Sequence, residues 1–391
     1  MAAGAEIGEK GHGPSRFQRF LLPGLAFKAL VIGGGYATGR EVAEFFLPNG
    51  PWGGVYAILV ATLLFSAGCV LTFLFARATR SLDYQAFFAA LLGPGWVVWE
   101  VVYILFVILI LAVYGAAAGA IATATLGLPA LAGTAALMAG IILFTTYGNR
   151  AVERLFEWAA YLLYGVYALF FIFAFSEFGD RIADGFAAAP PAAAENWALN
   201  GATYFSYNIL GAIVVLPVLR HLTSSRDAVI AGAICGPLAM LPALLFFMAT
   251  VAFYPAIMDA ELPSDALLAH LGRPWFRALF QIMVFSALLQ SGVSAVHAFN
   301  ERVDKASRRS RGVPIGPRVR LLLSFGLLAG CMFLADRFGL VALIGSGYRF
   351  FAYVLLAVFV LPLCTIGVIR ILRSARERRQ SGDDHEILAA S

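Results

Sequence analysis

The residues best suited to chemistry in this chain lie in one short segment. Gly33, Gly34, Gly35 and Gly39 interrupt the first long apolar stretch, and the charged pair Arg40-Glu41 follows at once. A helix that stops inside lipid bares backbone N–H and C=O groups, which are tolerated only where they face protein, an ion or a bound solute. The segment therefore reads as a broken transmembrane helix. Thr38-Gly39-Arg40-Glu41 also has the Thr-x-x-Glu form of a capping box, which predicts a second half-helix starting near Thr38. Glu41 is then either a structural cap or a carboxylate that binds a proton, a cation or an amine. The dipole at a helix start favours its charged form, and desolvation favours the neutral one. The plainer reading of Gly35 and Gly39 is a small-xxx-small pair that lets another helix approach. A dinucleotide fingerprint is excluded, because the GxGxxG spacing fails and no strand precedes it.

Other polar groups recur at helical spacing. Ser286, Gln290, Ser294 and His297 stand four, four and three residues apart, on one helix face, with Ser291 beside them. Such a stripe either holds a ligand or satisfies hydrogen bonds between helices. His297 is a proton carrier or a neutral packed ring. Tyr204, Ser206, Tyr207 and Asn208 place hydroxyl and amide groups in another apolar stretch, suited to a small zwitterion or organic cation, and Tyr103 and Tyr114 add weaker candidates. Glu44 lies four residues beyond Arg40, the spacing of an ion pair on a helix surface. Arg349, in Gly345-Ser346-Gly347-Tyr348-Arg349, is an intramembrane cation that needs a partner or snorkels outward.

The elements that must position these groups are membrane spans. Of 391 residues 61% are hydrophobic and only 13% charged, with 33 Phe and a mean hydropathy of +0.82, which excludes a soluble domain. Apolar stretches long enough to cross a hydrocarbon core of about 30 Å cover residues 20–46, 54–76, 96–126, 130–147, 155–176, 198–219, 228–254, 275–303, 319–335 and 340–372. About ten transmembrane helices are expected, with ends uncertain by about 2–4 residues. Residues 1–19 are a polar tail, 20–176 and 198–372 hold five helices each, 177–197 form an external connection with a short interfacial helix near residues 182–186, and 373–391 are a second tail. The first apolar stretch is too long for a signal-peptide core, so the first helix is expected to stay attached.

Net charge of +5 does not point to nucleic acid, because the cations follow alternate loops, as the positive-inside rule requires. Lys10, Arg16 and Arg19 precede helix 1; Arg77, Arg80, Arg150, Arg154, Arg220 and Arg226 flank later helices on the same side. The loop after helix 8 and the C-terminal tail are richest. Both termini are thus expected in the cytoplasm, with Arg181, Arg273, Arg277 and Arg337 as exceptions on the opposite side. Five helices per half then begin on opposite sides of the membrane, the arithmetic of an inverted repeat. If helix 1 is broken, helix 6 should weaken near Ser206 to Gly211. Cys69, Cys235, Cys331 and Cys364 sit singly in separate spans and read as buried small hydrophobes, neither disulfides nor metal ligands.

The segment from Gly33 to Glu41, followed by Phe45-Phe46, resembles the first-helix signature of the YkvI-like bacterial membrane proteins, a family similar to the LeuT-fold, amino acid–polyamine–organocation superfamily. That family usually has a glutamine where this chain has Arg40. The resemblance implies an all-α polytopic fold, a LeuT-type five-plus-five inverted repeat with discontinuous helices 1 and 6, and a solute site between helices 1, 3, 6, 8 and 10. It places Gly33, Gly35, Tyr36, Thr38, Glu41, Tyr204, Tyr207, Asn208 and Gln290 as solute-binding candidates. It makes Ser291 and Ser294, with helix 1 carbonyls, candidates for a cation site, and Glu41 and His297 candidates for coupling. An ion pair between helices 1 and 10 closes the outer vestibule in such transporters, so Glu41 or Glu44 with Arg349, joined by Arg40, is the expected gate.

The expected function is secondary active transport of a small amino-acid-like or amine solute by alternating access, with Na+ or H+ as coupling ion, no cofactor, and the lipid bilayer of a bacterial inner membrane as its surroundings. Half-helix N-termini would hold an anionic group and unwound carbonyls a cation. An uncoupled uniporter or exchanger and an ion channel are the alternatives. An intramembrane enzyme is disfavoured, since HExxH, GxSxG and clustered His/Asp motifs are missing from the sequence.

Overall fold

The computed structural model describes residues 14–147, 150–190 and 195–377. Much of both expected tails therefore lies outside the described residues, as do Lys10 and the side chains of Arg150 and Arg154. Among the described residues every regular element is helical, and the helices group into ten crossings.

Helix 1 enters through Phe17–Leu21 and Leu22–Val31, makes one turn at Gly34–Ala37 and resumes as Arg40–Phe45. Helix 2 is Gly50–Thr79, with proline in its first turn, where the missing N–H costs nothing. A short helix, Tyr84–Leu92, capped by the Asp83 side chain on the Ala86 N–H, leads into helix 3, Trp96–Leu126. Helix 4 is Ala130–Tyr147. Helix 5, Arg150–Ala188, outruns its apolar core of 155–176, so residues 177–188 continue that helix and the separate interfacial helix expected near 182–186 does not form. A helix satisfies its own backbone in lipid and in water alike, so polarity after Ser176 marks where lipid ends and does not end the helix.

Helix 6 comprises Trp197–Asn208, Gly211–Val214 and a 3₁₀ stretch, Leu216–His221. Helix 7, Ser225–Val251, starts with a capping box between Ser224 and Asp227. Short helices Ala256–Asp259 and Pro263–His270 lead to helix 8, Pro274–Arg311. Helix 9 opens Pro317–Ala342, which bends at Gly339 (φ 71°), and helix 10 runs on from Leu340 through a π-type turn, Leu343–Tyr348, and Arg349–Leu355. A broken helix followed by a long intact one thus occurs twice, as helices 1 and 2 and as helices 6 and 7.

Small residues let the central helices touch. A Cβ on Gly232 of helix 7 would stand 2.6 Å from the Val70 backbone nitrogen of helix 2, and one on Gly119 of helix 3 would stand 2.8 Å from the Ala130 carbonyl of helix 4. Lipid tails are as apolar as leucine, so van der Waals contact at such approaches holds membrane helices together. Aromatic rings fill the remaining space: Tyr204 meets Phe45, Phe46, Phe65 and Tyr207, while Phe88 stacks on Trp99 at 3.7 Å. Cys69, Cys235 and Cys331 are buried as expected, whereas Cys364 is exposed on the outer side of helix 10. An outward cysteine in a lipid-facing helix needs no burial by protein, which apolar sequence context alone does not reveal.

Candidate functional site

The interruption in helix 1 is complete. Ile32 leaves helical torsions (φ −89°, ψ 55°), Gly33 is extended (φ −81°, ψ −174°), and Gly39 is left-handed (φ 77°). Left-handed torsions at Gly39 are costly for any residue with a Cβ. Here the space forbids one too, since a Cβ would stand 2.5 Å from the Phe246 ring. The carbonyl freed at Thr38 is satisfied from the segment between helices 7 and 8: the Ser264 N–H donates to it at 3.1 Å and the Ser264 hydroxyl at 2.9 Å.

The expected capping box does not form. Gly39 takes the N-cap position, and the Thr38 hydroxyl instead donates to the Gly35 carbonyl (2.7 Å) and accepts from the Arg40 N–H (3.2 Å). Glu41 is released from a capping role. Its Oε2 accepts a 2.7 Å hydrogen bond from the Tyr207 hydroxyl of helix 6, the residue is 5% exposed, and among the described residues it has no ion-pair partner. Oε1 lies against Gly35, 3.1 Å from where a Cβ would be.

A cavity of about 530 Å³ opens beside this segment. Gly33, Gly35, Tyr36, Glu41, Tyr207, Asn208, Gln290, Ser291 and Ser294 line it, so most of the candidates converge. Gly33 is close to helices 3 and 8: a Cβ on it would be 3.6 Å from the Tyr114 hydroxyl and 3.9 Å from that of Ser291. Ser294 donates to the Gln290 carbonyl within its own helix (2.9 Å).

Five candidates lie elsewhere, of which Ser206 and Ser286 donate to the Ala202 and Ile282 carbonyls of their own helices at 2.7 and 2.8 Å. Thr38 is buried beneath the lining and spends its hydroxyl on backbone; Tyr204 is sealed among aromatic rings with its hydroxyl unpartnered among the described residues; His297 is exposed. Helical spacing puts His297 about 60° around the helix from Ser294, at the edge of the face that Gln290, Ser294 and Ala298 turn to the cavity. Tyr348 of helix 10 and Phe106 of helix 3 also line the cavity, and neither was singled out. The clue to Tyr348 was its place beside Arg349 in a glycine-flanked segment.

Glu44, not Glu41, meets Arg349. Glu44 Oε1 accepts from Arg349 Nη2 at 3.1 Å and its Oε2 from Arg40 Nη2 at 3.2 Å, while Arg40 Nη1 donates to the Met258 and Ala260 carbonyls at 2.9 and 3.0 Å. Glu41 turns to the cavity and Tyr207, while Glu44, one helical turn further on, lies against Gly345 of helix 10. The same cluster draws helices 1 and 10 and the segment between helices 7 and 8 together over the cavity. Asp265 adds a second clasp on this face, accepting from Arg277 at 2.7 and 2.6 Å and from Gln281 at 2.7 Å.

Toward the face where helix 1 enters and helix 10 leaves, the lining continues through Leu30, Val214 and Tyr164, which are 43%, 47% and 43% exposed. The cavity is thus covered by ion pairs at one face and reaches the protein surface toward the other. Ion pairs on the open face stand to the side of the opening: Arg19 with Asp227 (2.7 Å), and Arg302 with Glu100 (2.8 Å), the Arg302 guanidinium lying between the Tyr84 and Tyr103 rings.

This architecture matches solved membrane proteins at low sequence identity. The chain is similar to the structure of MhsT in complex with L-phenylalanine, with a TM-score of 0.54 and 15% identity, covering 93% of this chain and 99% of that one. The fold is the LeuT fold. A mutant of the Eremococcus coleocola manganese transporter is also similar, with a TM-score of 0.51 and 14% identity over 93% of this chain and 86% of that one. In sequence, the chain is similar to the membrane protein YkvI of Bacillus subtilis (strain 168), 23% identical over 346 residues, 85% of this chain and 92% of that protein. No sequence-family profile matches it. The LeuT fold accounts for the paired breaks in helices 1 and 6, and this chain is a membrane protein built on it.

Proposed function

We propose that this chain is a secondary active transporter of a small amino-acid-like or amine solute, working by alternating access and coupled to Na+ or H+. The observation that carries the reading is a cavity set against the fully interrupted helix 1, closed over one mouth by Glu44, Arg40 and Arg349 and open at the other. Such a one-sided opening is one of the two states that alternating access requires. The location we propose is a bacterial cytoplasmic membrane with both termini in the cytoplasm, so that the described state faces inward. Residues of helices 1, 3, 6, 8 and 10 would hold the solute. The Ser291 hydroxyl, beside Gly33, would take part in holding a coupling cation, and Glu41 would carry the charge if the coupling ion is a proton. Glu44 with Arg40 and Arg349 would be the outer gate.

The test is solute counterflow in proteoliposomes. Preloaded unlabelled solute should drive saturable entry of labelled solute, and an imposed Na+ or pH gradient should drive net accumulation. Currents without saturable counterflow would replace the carrier with a channel. Counterflow that neither gradient concentrates would leave an uncoupled exchanger.

A further inference from the structure

We infer that the solute is a monovalent organic cation, an alkyl or aryl amine without a carboxylate of its own. The inference rests on the transporter reading and narrows it. Among the described residues that line the cavity, Glu41 is the one charged side chain; Arg, Lys and His are missing from the lining. Lys28, the nearest basic residue along helix 1, lies over the Tyr164 ring at 4.5 Å and lines no part of it.

A carboxylate can accept about four hydrogen bonds. Glu41 takes one from a side chain, that of Tyr207, and turns Oε1 toward Gly35, where a Cβ position lies 3.1 Å from it, 3.7 Å from the Tyr348 hydroxyl and 3.8 Å from the Tyr114 ring. A charged group at this depth in the membrane is costly unless paired. An ammonium group entering beside Gly35 would supply the opposite charge and the missing donors.

The walls suit the rest of such a molecule. Tyr207 and Tyr348 lie with ring centroids 4.7 Å apart, Phe106 is 6.1 Å from Tyr348, and Tyr36 and Tyr114 complete an aromatic surround. Electron-rich ring faces attract cations, and they do so more strongly once water is excluded. The same site disfavours an amino acid. Its α-carboxylate would enter within reach of Glu41, with no basic side chain on the lining to receive it, and like charges in a desolvated site repel strongly. The cargo of the manganese transporter is disfavoured as well, because no group of three His, Cys, Asp or Glu side chains gathers among the described residues.

Matched pairs of probes test the inference on the full chain in nanodiscs: 2-phenylethylamine against phenylalanine and 3-phenylpropionate, and isopentylamine against leucine. Titration calorimetry should show each amine binding at least about tenfold tighter than its amino acid, because only the amino acid brings a second carboxylate to Glu41. Glu41→Gln should weaken amine binding by about 30-fold or more, while Glu41→Asp should retain a measurable part of it and Tyr207→Phe most of it. The Asp variant and the thermal unfolding of each protein separate lost binding from lost folding. Tighter binding of the amino acids, or amine binding by a folded Glu41→Gln protein equal to the original, overturns the inference. In either case, saturable counterflow of the amino acid leaves the transporter reading standing. Failure of every amine and amino acid to bind or exchange overturns both.

Discussion

Helices 1 and 6 occupy equivalent places in the two halves of the LeuT fold, yet their interruptions differ in kind. Helix 1 abandons helical torsions at Ile32, Gly33 and Gly39. Helix 6 keeps right-handed torsions through its gap, with Ile209 at φ −62° and Leu210 at φ −50°, and merely tightens, so that Ala212 donates to the Ile209 carbonyl and Ile213 to that of Leu210. The difference follows from residue type. Four glycines and a following charged pair leave helix 1 free to open, whereas Ile209 and Leu210 carry side chains that favour the right-handed region. An open break must borrow partners, and helix 1 borrows Ser264; a tightened one satisfies itself. The backbone that leaves helical torsions beside the cavity is therefore that of helix 1, where Glu41 also stands.

Substitutions can break that contrast in graded steps. Gly39→Ala should have the largest effect: left-handed torsions plus a Cβ 2.5 Å from the Phe246 ring should cost about 2–4 kcal/mol. The check is the thermal unfolding midpoint in detergent, and a midpoint equal to the original would mean that helix 1 does not need this turn. Ser264→Ala removes the hydroxyl but leaves its backbone N–H on the Thr38 carbonyl, and should cost about 1 kcal/mol by the same measurement. Gly33→Ala should change stability by less than about 0.5 kcal/mol, since its torsions suit alanine. The added methyl, 3.6 Å from the Tyr114 hydroxyl, fills cavity space and should slow counterflow. Gly211→Ala is the smallest change. Higher helix propensity offsets a contact 3.2 Å from the Phe27 ring, and both unfolding and counterflow should stay near the original. A large loss there would show that helix 6 depends on its glycine as helix 1 does.

Much of the fold was legible because lipid imposes it. Apolar stretches at 96–126 and 130–147 coincide with helices 3 and 4 as observed, since in hydrocarbon a backbone of that length has little choice but helix. Helix 5 was legible only in its apolar part, because residues 177–188 are helical without being apolar. The site was legible where chain-local chemistry governs it. The glycines announced the break, and Tyr207, Asn208, Gln290 and Ser291 reached the cavity from the stretches that named them. Pairings across the fold were not legible. Thr38 and Glu41 have capping-box spacing, but left-handed Gly39 between them turns the carboxylate toward Tyr207. Glu41 and Glu44 are equally plausible partners for Arg349 until the approach of helix 10, with Gly345 against the Glu44 carboxylate, selects one.

The sequence by itself determined that this chain crosses a membrane about ten times and that its first helix gives way at the glycines, because hydropathy and backbone freedom are properties of each residue and its neighbours. Only the tertiary structure decided that Glu41 faces the cavity and meets Tyr207 while Glu44 pairs with Arg40 and Arg349. The two carboxylates are one helical turn apart, and which of them meets a cation depends on helices that lie hundreds of residues away in the chain.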